Sequence, residues 1–349
     1  MRLEDLPVDR ELGPGMIEVE VAFCGICGSD VGEFRDGPVM IRSSDHPLSR
    51  QGAPPIVLGH EFSGRVSAVG AGVTELAVGD RVAANASWRC GRCRDCLSGD
   101  YNRCSSGGAI GLISDGALAS HVRFPSYCAV PLPDAVSYEE GALIEPLAVA
   151  LHALERGNAR PGDQVVILGF GPIGAACAEI ARAGALQVTV LEPHAGRRSH
   201  ASSMGFDTLQ PDEGPRSTQR AVRRLTGGGA DIVVDCTGSP AVLGSAPELL
   251  RRGGVVVLVG LPHGPASIDA GRLVLTERSI IAALAYRDEP ARVATMIANG
   301  TVRAGRLITT IIDLKETVEH FARLADDPGD DIKVLVRVTP LLVERYEDE

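Results

Sequence analysis

The sequence predicts an α/β protein with two domains, a small β-rich domain followed by a doubly wound parallel sheet. Short runs that alternate apolar and polar residues fill the glycine- and proline-rich N-terminal third. From about Leu147 onward, apolar runs typical of buried strands alternate with helical stretches. The chain has 349 residues, which is enough for two domains with sizeable hydrophobic cores.

The strands of the first domain are predicted to be short. Residues 17–23 alternate apolar and polar side chains, the pattern of a strand with one face on a core. Residues 65–69 and 81–83 are further short runs of this kind. Several short strands within a segment rich in glycine and proline indicate a small barrel-like domain.

The second domain begins with a strand that is predicted to be buried on both faces. Residues 165–168 form a continuous apolar run, which is typical of parallel sheets. A glycine-rich turn and an alanine-rich helical stretch at 173–183 follow. Further apolar runs lie at 187–191, 231–235 and 255–259, and we expect the domain to end near Ala285. This alternation predicts a parallel, doubly wound sheet.

Charge and hydropathy exclude several classes of partner. The net charge is −11 and the pI is about 5.3, which argues against a nucleic acid or an anionic membrane surface as a partner. No apolar run approaches the roughly 18 residues that a membrane span needs. The N-terminus does not resemble a signal peptide, so we expect a cytoplasmic protein.

One short polar lobe contains four cysteines, Cys90, Cys93, Cys96 and Cys104. Steps of the form C-x2-C let a tight turn aim successive sulfurs at one point, and structural Zn²⁺ prefers four thiolates in a tetrahedron. An iron–sulfur cluster is compatible with the same spacing. A disulfide framework is disfavoured, because the chain is expected in a reducing compartment. We predict a structural zinc site.

The glycine-rich turn has the spacing of a dinucleotide fingerprint, because Gly169, Gly171 and Gly174 follow a buried strand and open a helix. Gly169 permits the tight turn, Gly171 lets a pyrophosphate approach the backbone, and Gly174 allows close packing of helix on strand. The helix then presents unpaired N–H groups to the phosphates. Pro172 and Ile173 lie within this turn and are predicted to contact the cofactor.

Glu192 follows the next predicted strand and indicates the cofactor preference. A carboxylate there accepts hydrogen bonds from the adenosine ribose and repels a 2′-phosphate, which favours NAD(H) over NADP(H). Arg197 and Arg198 are close by and could either stack on adenine or accommodate a phosphate. The remaining predicted cofactor contacts are Thr237, Val259, Gly260 and Lys333.

Two further motifs precede the cysteine lobe. One is Cys24-Gly-Ile-Cys27-Gly-Ser29-Asp30, and the other is Gly59-His60-Glu61. Together with the lobe and the fingerprint, in this order, they resemble the zinc-dependent medium-chain dehydrogenases, the alcohol and polyol dehydrogenase family. The resemblance covers nearly the whole chain, although the strand and turn that usually begin this family look shortened here.

This resemblance implies a domain organisation and an activity. Residues 1–146 would form a GroES-like catalytic domain, with the structural zinc lobe at about 88–106, and residues 147–285 a Rossmann dinucleotide-binding domain. Residues 286–349 would return to the catalytic domain and close it with a strand at 331–336. The family implies two Zn²⁺ ions per chain, hydride transfer between NAD(H) and a small alcohol or ketone, and a homodimer or homotetramer.

Cys27 and His60 are the best candidate ligands of the catalytic zinc, since thiolate and imidazole suit this ion. The family pattern selects Cys27, with Cys24 as a buried thiol at a strand end, although a C-x2-C pair of both is the alternative. In the polyol branch the third ligand is a glutamate. We therefore expect Glu61 as third ligand, and Glu145 as a ligand directly or through water, or else as a helix-start carboxylate.

The resemblance also assigns roles around the metal. Asp30 would orient His60 by accepting its hydrogen bond. Ser29 would hydrogen-bond the substrate hydroxyl and pass its proton onward. Many family members have a relay histidine five residues after the ligand cysteine, but this chain has Gly32 there. The proton would then go to the ribose and water, or to Glu33.

The substrate is predicted from two segments near the N-terminus. Residues 33–38 and the stretch around His46-Pro47-Leu48 look like the corresponding parts of (R,R)-2,3-butanediol dehydrogenases. A vicinal diol, or its α-hydroxyketone in reverse, is the leading substrate class. A dehydrogenase of the sorbitol, threonine or cyclitol type is the second hypothesis. A non-catalytic family member that binds NAD is the third.

Overall fold

The computed structural model describes residues 1–6, 11–41, 56–211 and 215–340. The chain divides into two units, the first formed by Met1–Glu145, Tyr286–Pro328 and Lys333–Glu349 and the second by Pro146–Ala285 and Gly329–Ile332. His46, Pro47 and Leu48, on which part of the substrate prediction depends, lie outside the described residues.

Within the described residues, the first unit is built on a seven-stranded sheet in the order β14-β15-β1-β2-β3-β7, with β6 pairing β1. Its strands are β1 (Met16–Gly25), β2 (Glu61–Val69), β3 (Arg81–Ala84), β6 (His121–Pro125), β7 (Ala129–Pro131), β14 (Ile308–Asp313) and β15 (Lys333–Arg337). A small separate ribbon pairs β4 (Ser87–Trp88) with β5 (Gly108–Ala109). All pairs are antiparallel except β14 with β15.

Short helices complete this unit: α1 (Gly28–Asp36), α2 (Arg94–Leu97), α3 (Tyr138–Ala142), α10 (Glu289–Ala298) and α11 (Thr317–Asp326), together with the first residues of α4 (Ile144–Arg156). The core lies on the sheet, where Ile17, Val19 and Val21 alternate inward along β1 and are fully buried. Phe62 and Phe124 pack edge to face with their ring centroids 5.3 Å apart.

The register at the end of β1 brings distant parts of the sequence together. Gly25 is paired with Glu61 at the start of β2 on one side and with Leu335 of β15 on the other. The chain leaving β1 therefore passes beside the beginning of β2 and the beginning of β15. The candidate site described below lies where these three strands are paired.

The second unit contains a parallel sheet whose six described strands have the order β10-β9-β8-β11-β12-β13. The strands are β8 (Gln164–Leu168), β9 (Gln187–Leu191), β10 (Asp207–Leu209), β11 (Ala230–Asp235), β12 (Leu250–Leu258) and β13 (Ser279–Ala282). Its helices are α5 (Pro172–Ala183), α6 (Ala195–Ser203), α7 (Pro215–Leu225), α8 (Pro240–Ser245) and α9 (Ala270–Thr276). Numbered from β8, the order is 3-2-1-4-5-6, which is the doubly wound topology.

The predicted α/β fold class is confirmed, with a β-rich unit and a parallel doubly wound sheet. The sequence analysis missed the two edge strands of the parallel sheet, β10 and β13. Both are short; β10 has no continuous apolar run, whereas β13 does lie in one, at 280–285, which the sequence analysis did not assign to a strand. None of the helices in the described ranges is long and apolar enough to cross a membrane.

Candidate metal centres and dinucleotide site

The four cysteines of the polar lobe converge. Their sulfur atoms all lie within 4.8 Å of one another, with Cys90 and Cys96 4.0 Å apart and Cys93 and Cys104 3.8 Å apart. A tetrahedron with Zn–S bonds of about 2.3 Å has edges of about 3.8 Å. The lobe therefore has the donor set and the size for a closed zinc site.

Backbone N–H groups in this lobe stabilise negative charge on the cysteine sulfurs. The sulfur of Cys93 accepts a hydrogen bond from the Cys96 N–H at 3.5 Å, where α2 begins. The N–H groups of Arg92 and Cys93 lower the pKa of Cys90 to about 6. Burial and its thiol neighbours raise the pKa of Cys96 to about 12. A bound cation would favour the thiolate form of all four.

A second cluster among the described residues joins Cys27, His60 and Glu61, whose ligand atoms also lie within 4.8 Å of one another. Cys27 precedes α1, directly after β1, and His60-Glu61 opens β2. Cys24 does not belong to the cluster: its side chain is fully buried in the core at the end of β1. The structure thus brings together the three residues that the motifs selected.

Asp30 lies beneath this cluster and is fully buried. Its Oδ1 is 3.4 Å from Nδ1 of His60, and its Oδ2 accepts the Cys27 N–H at 3.1 Å. Burial works against the charged imidazole, but the neighbouring Asp30 and Cys27 outweigh it and raise the pKa of His60 well above its usual value. The surroundings are therefore anionic, as a cation site requires.

Glu61 is fully buried and is shared between the cluster and Lys333. The Lys333 ammonium, whose residue is 2% exposed, pairs with Oε2 of Glu61 and donates to the Ile26 carbonyl at 3.1 Å. Oε1 of Glu61 has no hydrogen-bond partner among the described residues. A buried carboxylate oxygen without a partner, beside a thiol and an imidazole, fits a Zn²⁺ ion. Lys333 was predicted to contact the cofactor, and here its ammonium is engaged with Glu61.

Glu145 lies in the first turn of α4, outside the cluster of three but close to it. Burial raises the pKa of this carboxyl to about 7, and the Glu61 carboxylate adds to the shift while His60 opposes it. The neighbouring Tyr286 also opposes this rise in the pKa of Glu145. Sequence reasoning missed Tyr286, which stands in no motif and follows directly on the predicted end of the second domain.

The residues at the start of α1 occupy different surroundings. Ser29 is half-buried in the first turn, next to Cys27. The Glu33 carboxylate accepts the N–H groups of Val39 and Ile41 at 3.0–3.1 Å and also that of Met40. Glu33 therefore anchors the chain that leaves α1, and its oxygens are already occupied.

The dinucleotide fingerprint forms the turn that its spacing predicts. Gly169 has a φ of +84°, a conformation that other residues adopt only with strain. A Cβ on Gly174 would lie 2.0 Å from the Gly169 carbonyl oxygen, so the helix can approach the strand only with glycine here. Pro172 and Ile173 begin α5, whose N-terminus faces this turn.

Glu192 lies at the end of β9 and is 4% exposed. Its Oε2 accepts the Phe170 N–H at 2.6 Å and its Oε1 accepts the His194 N–H at 2.7 Å. Arg198 is held by the carbonyls of Glu192 and Pro193 at 2.9 and 2.6 Å. The first two bonds fix the Glu192 carboxylate beside the glycine turn. The last two engage the Arg198 guanidinium with backbone carbonyls.

Arg197 is placed differently from Arg198. Its Nη1 lies 3.9 Å from a Cβ built on Gly171, and its Nε is buried without a hydrogen-bond partner in the described part of the chain. The guanidinium therefore sits at the turn that is expected to receive the pyrophosphate.

Asp235 organises the other predicted cofactor contacts, and sequence reasoning missed it. Its Oδ1 accepts the N–H and the hydroxyl of Thr237 at 2.9 and 2.7 Å. Its carbonyl accepts the N–H groups of Val259 and Gly260 at 3.0 and 2.9 Å. Burial raises the pKa of the Asp235 carboxyl, and Thr237 opposes that shift. Asp235 is the last residue of β11, outside the glycine fingerprint, and an acid at the end of a predicted strand was the only sequence signal that could have pointed to it.

The chain thus combines a four-cysteine lobe, a Cys27–His60–Glu61 cluster and a dinucleotide fingerprint on a two-unit fold, and the comparisons with known proteins identify its family. Residues 13–134 match the family model of the alcohol dehydrogenase GroES-like domain, and residues 172–299 match that of the zinc-binding dehydrogenase domain.

Curated relatives cover nearly the whole chain. The (R,R)-butanediol dehydrogenase of Bacillus subtilis is 34% identical over 93% of this chain and 93% of its own length. A probable D-xylulose reductase A of Aspergillus clavatus is 32% identical over 96% and 93%, and the sorbitol dehydrogenase of Bacillus subtilis is 31% identical over 96% and 94%. The chain belongs to the zinc-type alcohol and polyol dehydrogenase family.

Solved structures give the same result. The crystal structure of 2R,3R-butanediol dehydrogenase from Bacillus subtilis has a TM-score of 0.88 at 32% identity and covers 96% of both chains. A structure from Sinorhizobium meliloti bound to NADP has a TM-score of 0.82 at 29% identity, covering 94% and 93%. An alcohol dehydrogenase from Escherichia coli complexed with NADH has a TM-score of 0.84 at 25% identity, covering 93% and 92%.

Proposed function

We propose that this family member is an active oxidoreductase that moves a hydride between NAD(H) and a secondary alcohol or its ketone. The observation that carries the proposal is the meeting of Cys27, His60 and Glu61 within 4.8 Å, with Oε1 of Glu61 buried and lacking a hydrogen-bond partner among the described residues. Glu145 stands beside them as a further carboxylate that a metal ion could use. The cysteine lobe would hold a second, structural ion.

When bound, Zn²⁺ supplies Lewis acidity that lowers the pKa of the substrate hydroxyl, and NAD supplies the hydride acceptor. The residues of this chain hold the groups in place. Asp30 accepts the Cys27 N–H, and its other oxygen lies 3.4 Å from the His60 ring, where it can orient that ring. Lys333 holds Oε2 of Glu61 and leaves Oε1, which has no hydrogen-bond partner among the described residues, as the oxygen that a metal ion could use.

Ser29 is proposed to hydrogen-bond the substrate hydroxyl and to accept its proton. It lies in the first turn of α1, next to Cys27. Glu33 is a poor next acceptor, because backbone N–H groups already occupy its carboxylate oxygens. We therefore favour the route through the ribose and water over the route through Glu33.

NAD(H) is the proposed cofactor. Glu192 is held at the end of β9 by two backbone N–H groups, and a 2′-phosphate bound there would meet this buried carboxylate. Arg197 favours the opposite preference, since its guanidinium lies at the glycine turn. We favour NAD(H) because the Glu192 carboxylate would repel a 2′-phosphate at the expected ribose position, while Arg197 can serve the pyrophosphate that both cofactors share.

The proposed substrate is a vicinal diol of the 2,3-butanediol type, or its α-hydroxyketone in the reverse direction. The similarity to the (R,R)-butanediol dehydrogenase of Bacillus subtilis and to the crystal structure of 2R,3R-butanediol dehydrogenase from the same organism supports this choice. Sugar alcohols and ketoses are the second candidates, supported by the xylulose reductase and sorbitol dehydrogenase relatives. The homo-oligomeric state and the cytoplasmic location stay predictions.

One experiment tests the whole proposal. Zinc per chain is measured on the purified protein, and a panel of diols, polyols and simple secondary alcohols is assayed with NAD and with NADP. We expect two zinc ions and the highest kcat/KM for a vicinal diol with NAD. One zinc ion and no turnover would identify a non-catalytic family member, and a preference for sorbitol or for NADP would overturn the substrate or the cofactor assignment.

A further inference from the structure

The turn that follows β11 is built around one buried carboxylate. Asp235, the last residue of this strand, is fully buried, whereas Thr237 is exposed. Oδ1 of Asp235 accepts both the N–H and the hydroxyl of Thr237, at 2.9 and 2.7 Å. The Thr237 hydroxyl oxygen in turn accepts the Ser239 N–H at 3.1 Å. One carboxylate oxygen therefore fixes both the backbone and the side chain of an exposed residue.

The same residue also fixes the turn that follows the neighbouring strand. The Asp235 carbonyl accepts the N–H groups of Val259 and Gly260, at 3.0 and 2.9 Å, directly after β12. A Cβ on Gly260 would lie 2.4 Å from the Gly238 nitrogen, so the two segments pack with no room for a side chain between them. We call these two segments, residues 236–239 and 259–261, the paired turns.

The paired turns border the glycine fingerprint. The Cys236 N–H donates to the Leu168 carbonyl at 3.1 Å, at the end of β8. The Thr237 methyl carbon lies 3.2 Å from the position that a Cβ on Gly169 would occupy. The strand order of the sheet reverses between β8 and β11, and doubly wound sheets bind their ligands at the carboxyl ends of the strands at such a point. The paired turns therefore form the β11 side of the dinucleotide site.

The two sides of this site serve different halves of a dinucleotide. A doubly wound sheet consists of two mononucleotide-binding halves, which here are β8–β10 and β11–β13. Glu192 belongs to the first half, beside the expected adenosine ribose, and the paired turns belong to the second. We infer that Asp235 is a positioning residue that shapes the paired turns for the nicotinamide half of the cofactor. The inference rests on the proposed function, since it needs NAD(H) as the cofactor.

The burial of Asp235 has a cost that the conformation of the paired turns explains. Its Oδ2 is buried and has no hydrogen-bond partner in the described part of the chain. Burying a polar oxygen without a partner is unfavourable. An apolar side chain at this position would avoid that cost, but it would leave the N–H and hydroxyl of Thr237 without their acceptor. The carboxyl group therefore serves the shape of the turn more than the stability of the sheet.

The test measures the dissociation constants of NADH and of AMP for the wild-type protein and for Asp235→Ala, Asp235→Asn and Thr237→Val. AMP carries only the adenosine half of the cofactor, so the two ligands separate the two halves of the site. Urea unfolding gives the stability of each variant. Asp231→Ala is the matched control, because Asp231 lies in the same strand and accepts the Gln164 N–H at 2.8 Å at the opposite end of the sheet.

We expect Asp235→Ala to raise the dissociation constant of NADH about tenfold and to leave that of AMP within about twofold, because the paired turns lose their fixed shape. Thr237→Val keeps the N–H bond to Asp235 and should weaken NADH by a smaller factor, about threefold. Asp235→Asn keeps an acceptor oxygen and should bind NADH within about twofold of the wild type. Asp231→Ala should lower stability and leave both dissociation constants unchanged.

Several outcomes would overturn the inference. Wild-type affinity for NADH in Asp235→Ala would leave this residue with a role in folding only, and equal weakening of NADH and AMP would show an effect on the whole site. Asp235→Asn as weak as Asp235→Ala would show that the charge acts and the accepting oxygen does not. If Asp235→Ala fails to fold, Thr237→Val with unchanged NADH affinity refutes the inference. A wild-type protein that does not bind NADH would instead refute the proposed function itself.

Discussion

The two candidate metal centres are specified by the chain in opposite ways. The four lobe ligands all fall between Cys90 and Cys104, and tight local turns bring their sulfurs together. The candidate catalytic centre takes Cys27 from the turn between β1 and α1 and His60 and Glu61 from the start of β2, with Glu145 of α4 outside this cluster of three. The lobe depends on spacing, whereas the catalytic centre depends on the register of a sheet.

The two centres also differ in how they balance charge. In the lobe, backbone N–H groups favour the thiolate of Cys90, and the four sulfurs contact mainly one another. In the catalytic centre, two buried acids face two buried basic groups. Oδ1 of Asp30 lies 3.4 Å from Nδ1 of His60, and the Lys333 ammonium pairs with Glu61. The lobe therefore depends on its metal for order, while the catalytic centre is already held by the sheet and its ion pairs.

The largest expected effect separates chemistry from folding. Cys27→Ala should abolish turnover and remove one zinc ion per chain, yet leave the thermal unfolding transition nearly unchanged, because the sheet holds the centre together. Zinc analysis, calorimetry and steady-state kinetics measure the three quantities. Cys24→Ala is the matched control and should keep two zinc ions and its activity; loss of zinc from it would favour the C-x2-C pair instead.

Ser29→Ala sharpens the comparison by removing chemistry while retaining both metals. We expect kcat to fall by about 10²–10⁴-fold, the range that a positioned proton-transfer group contributes. Gly32→His should then introduce a group that titrates at about 6.5 into the pH–rate profile. A Cβ at Gly32 meets no atom within 4 Å in the described part of the chain, so the substitution has room. Unchanged kcat in Ser29→Ala, measured where hydride transfer limits the rate, would remove Ser29 from the mechanism.

Loss of a lobe cysteine should affect the stability of the fold directly, in contrast to loss of a catalytic residue. Cys96→Ser is expected to lose one zinc ion and to lower the melting temperature by about 10 °C or more, since a structural metal contributes folding free energy directly. Ser98→Ala, on the exposed end of the same lobe, is the control and should keep two zinc ions. A Cys96→Ser protein that melts at the wild-type temperature would contradict the structural role of the lobe.

The difference between a local ligand set and one assembled by the sheet also determines how much of each centre could be predicted from the sequence. The lobe could be predicted in full, because its ligands are neighbours in the chain. Cys27, His60 and the fingerprint glycines were found because each lies in a short motif with its own chemistry. Tyr286 was missed because only the tertiary fold brings its partner Ala86 close. Asp235 was missed although its side-chain partner Thr237 is only two residues away, because the pair lies in no motif that the sequence analysis used. Lys333 was assigned to the cofactor, and no local pattern could have revealed its pairing with Glu61.

Glu145 gives the catalytic centre a pH dependence of stability once its metal has been removed. Burial raises the pKa of this carboxyl from 4.5 to about 7, so between these values the folded chain holds a proton that the unfolded chain has lost. Its favourable contribution is complete below pH 4.5 and is lost as the pH rises through about 7. The difference is about 3 kcal/mol at most.

Glu145→Gln should therefore flatten the fall in stability between pH 5 and 8, because a neutral amide has no proton to lose. Urea unfolding of protein stripped of the catalytic metal alone, at unit steps of pH, measures the free energy of unfolding. Glu139→Gln, on the neighbouring helix α3, controls for the loss of a carboxylate. An unaltered slope in Glu145→Gln would mean that this carboxyl ionises normally in the folded chain.

The smallest expected effect is that of Tyr101→Phe, which tests whether the two centres are independent. The lobe contacts the segment beside Tyr286, because the Tyr101 hydroxyl donates to the Arg287 carbonyl and Asp100 pairs with the Arg287 guanidinium at 3.2 Å. Arg89, next to the first lobe cysteine, stacks on the Tyr101 ring at 4.0 Å. Tyr101→Phe keeps the ring and removes only the hydrogen bond, which is worth about 1 kcal/mol.

The Cys27–His60–Glu61 cluster is held by its own contacts with Asp30 and Lys333, so Tyr101→Phe should lower stability by about that amount and leave the release of the catalytic metal within about twofold of the wild type. Tyr127→Phe provides the comparison, since Tyr127 stacks on the other side of Arg89 at 4.6 Å and bonds only the Arg89 backbone among its described hydrogen bonds. If Tyr101→Phe instead released the catalytic metal about tenfold faster than the wild type, the lobe would be part of the support of the catalytic centre. The division between a local structural site and a separately held catalytic one would then have to be given up.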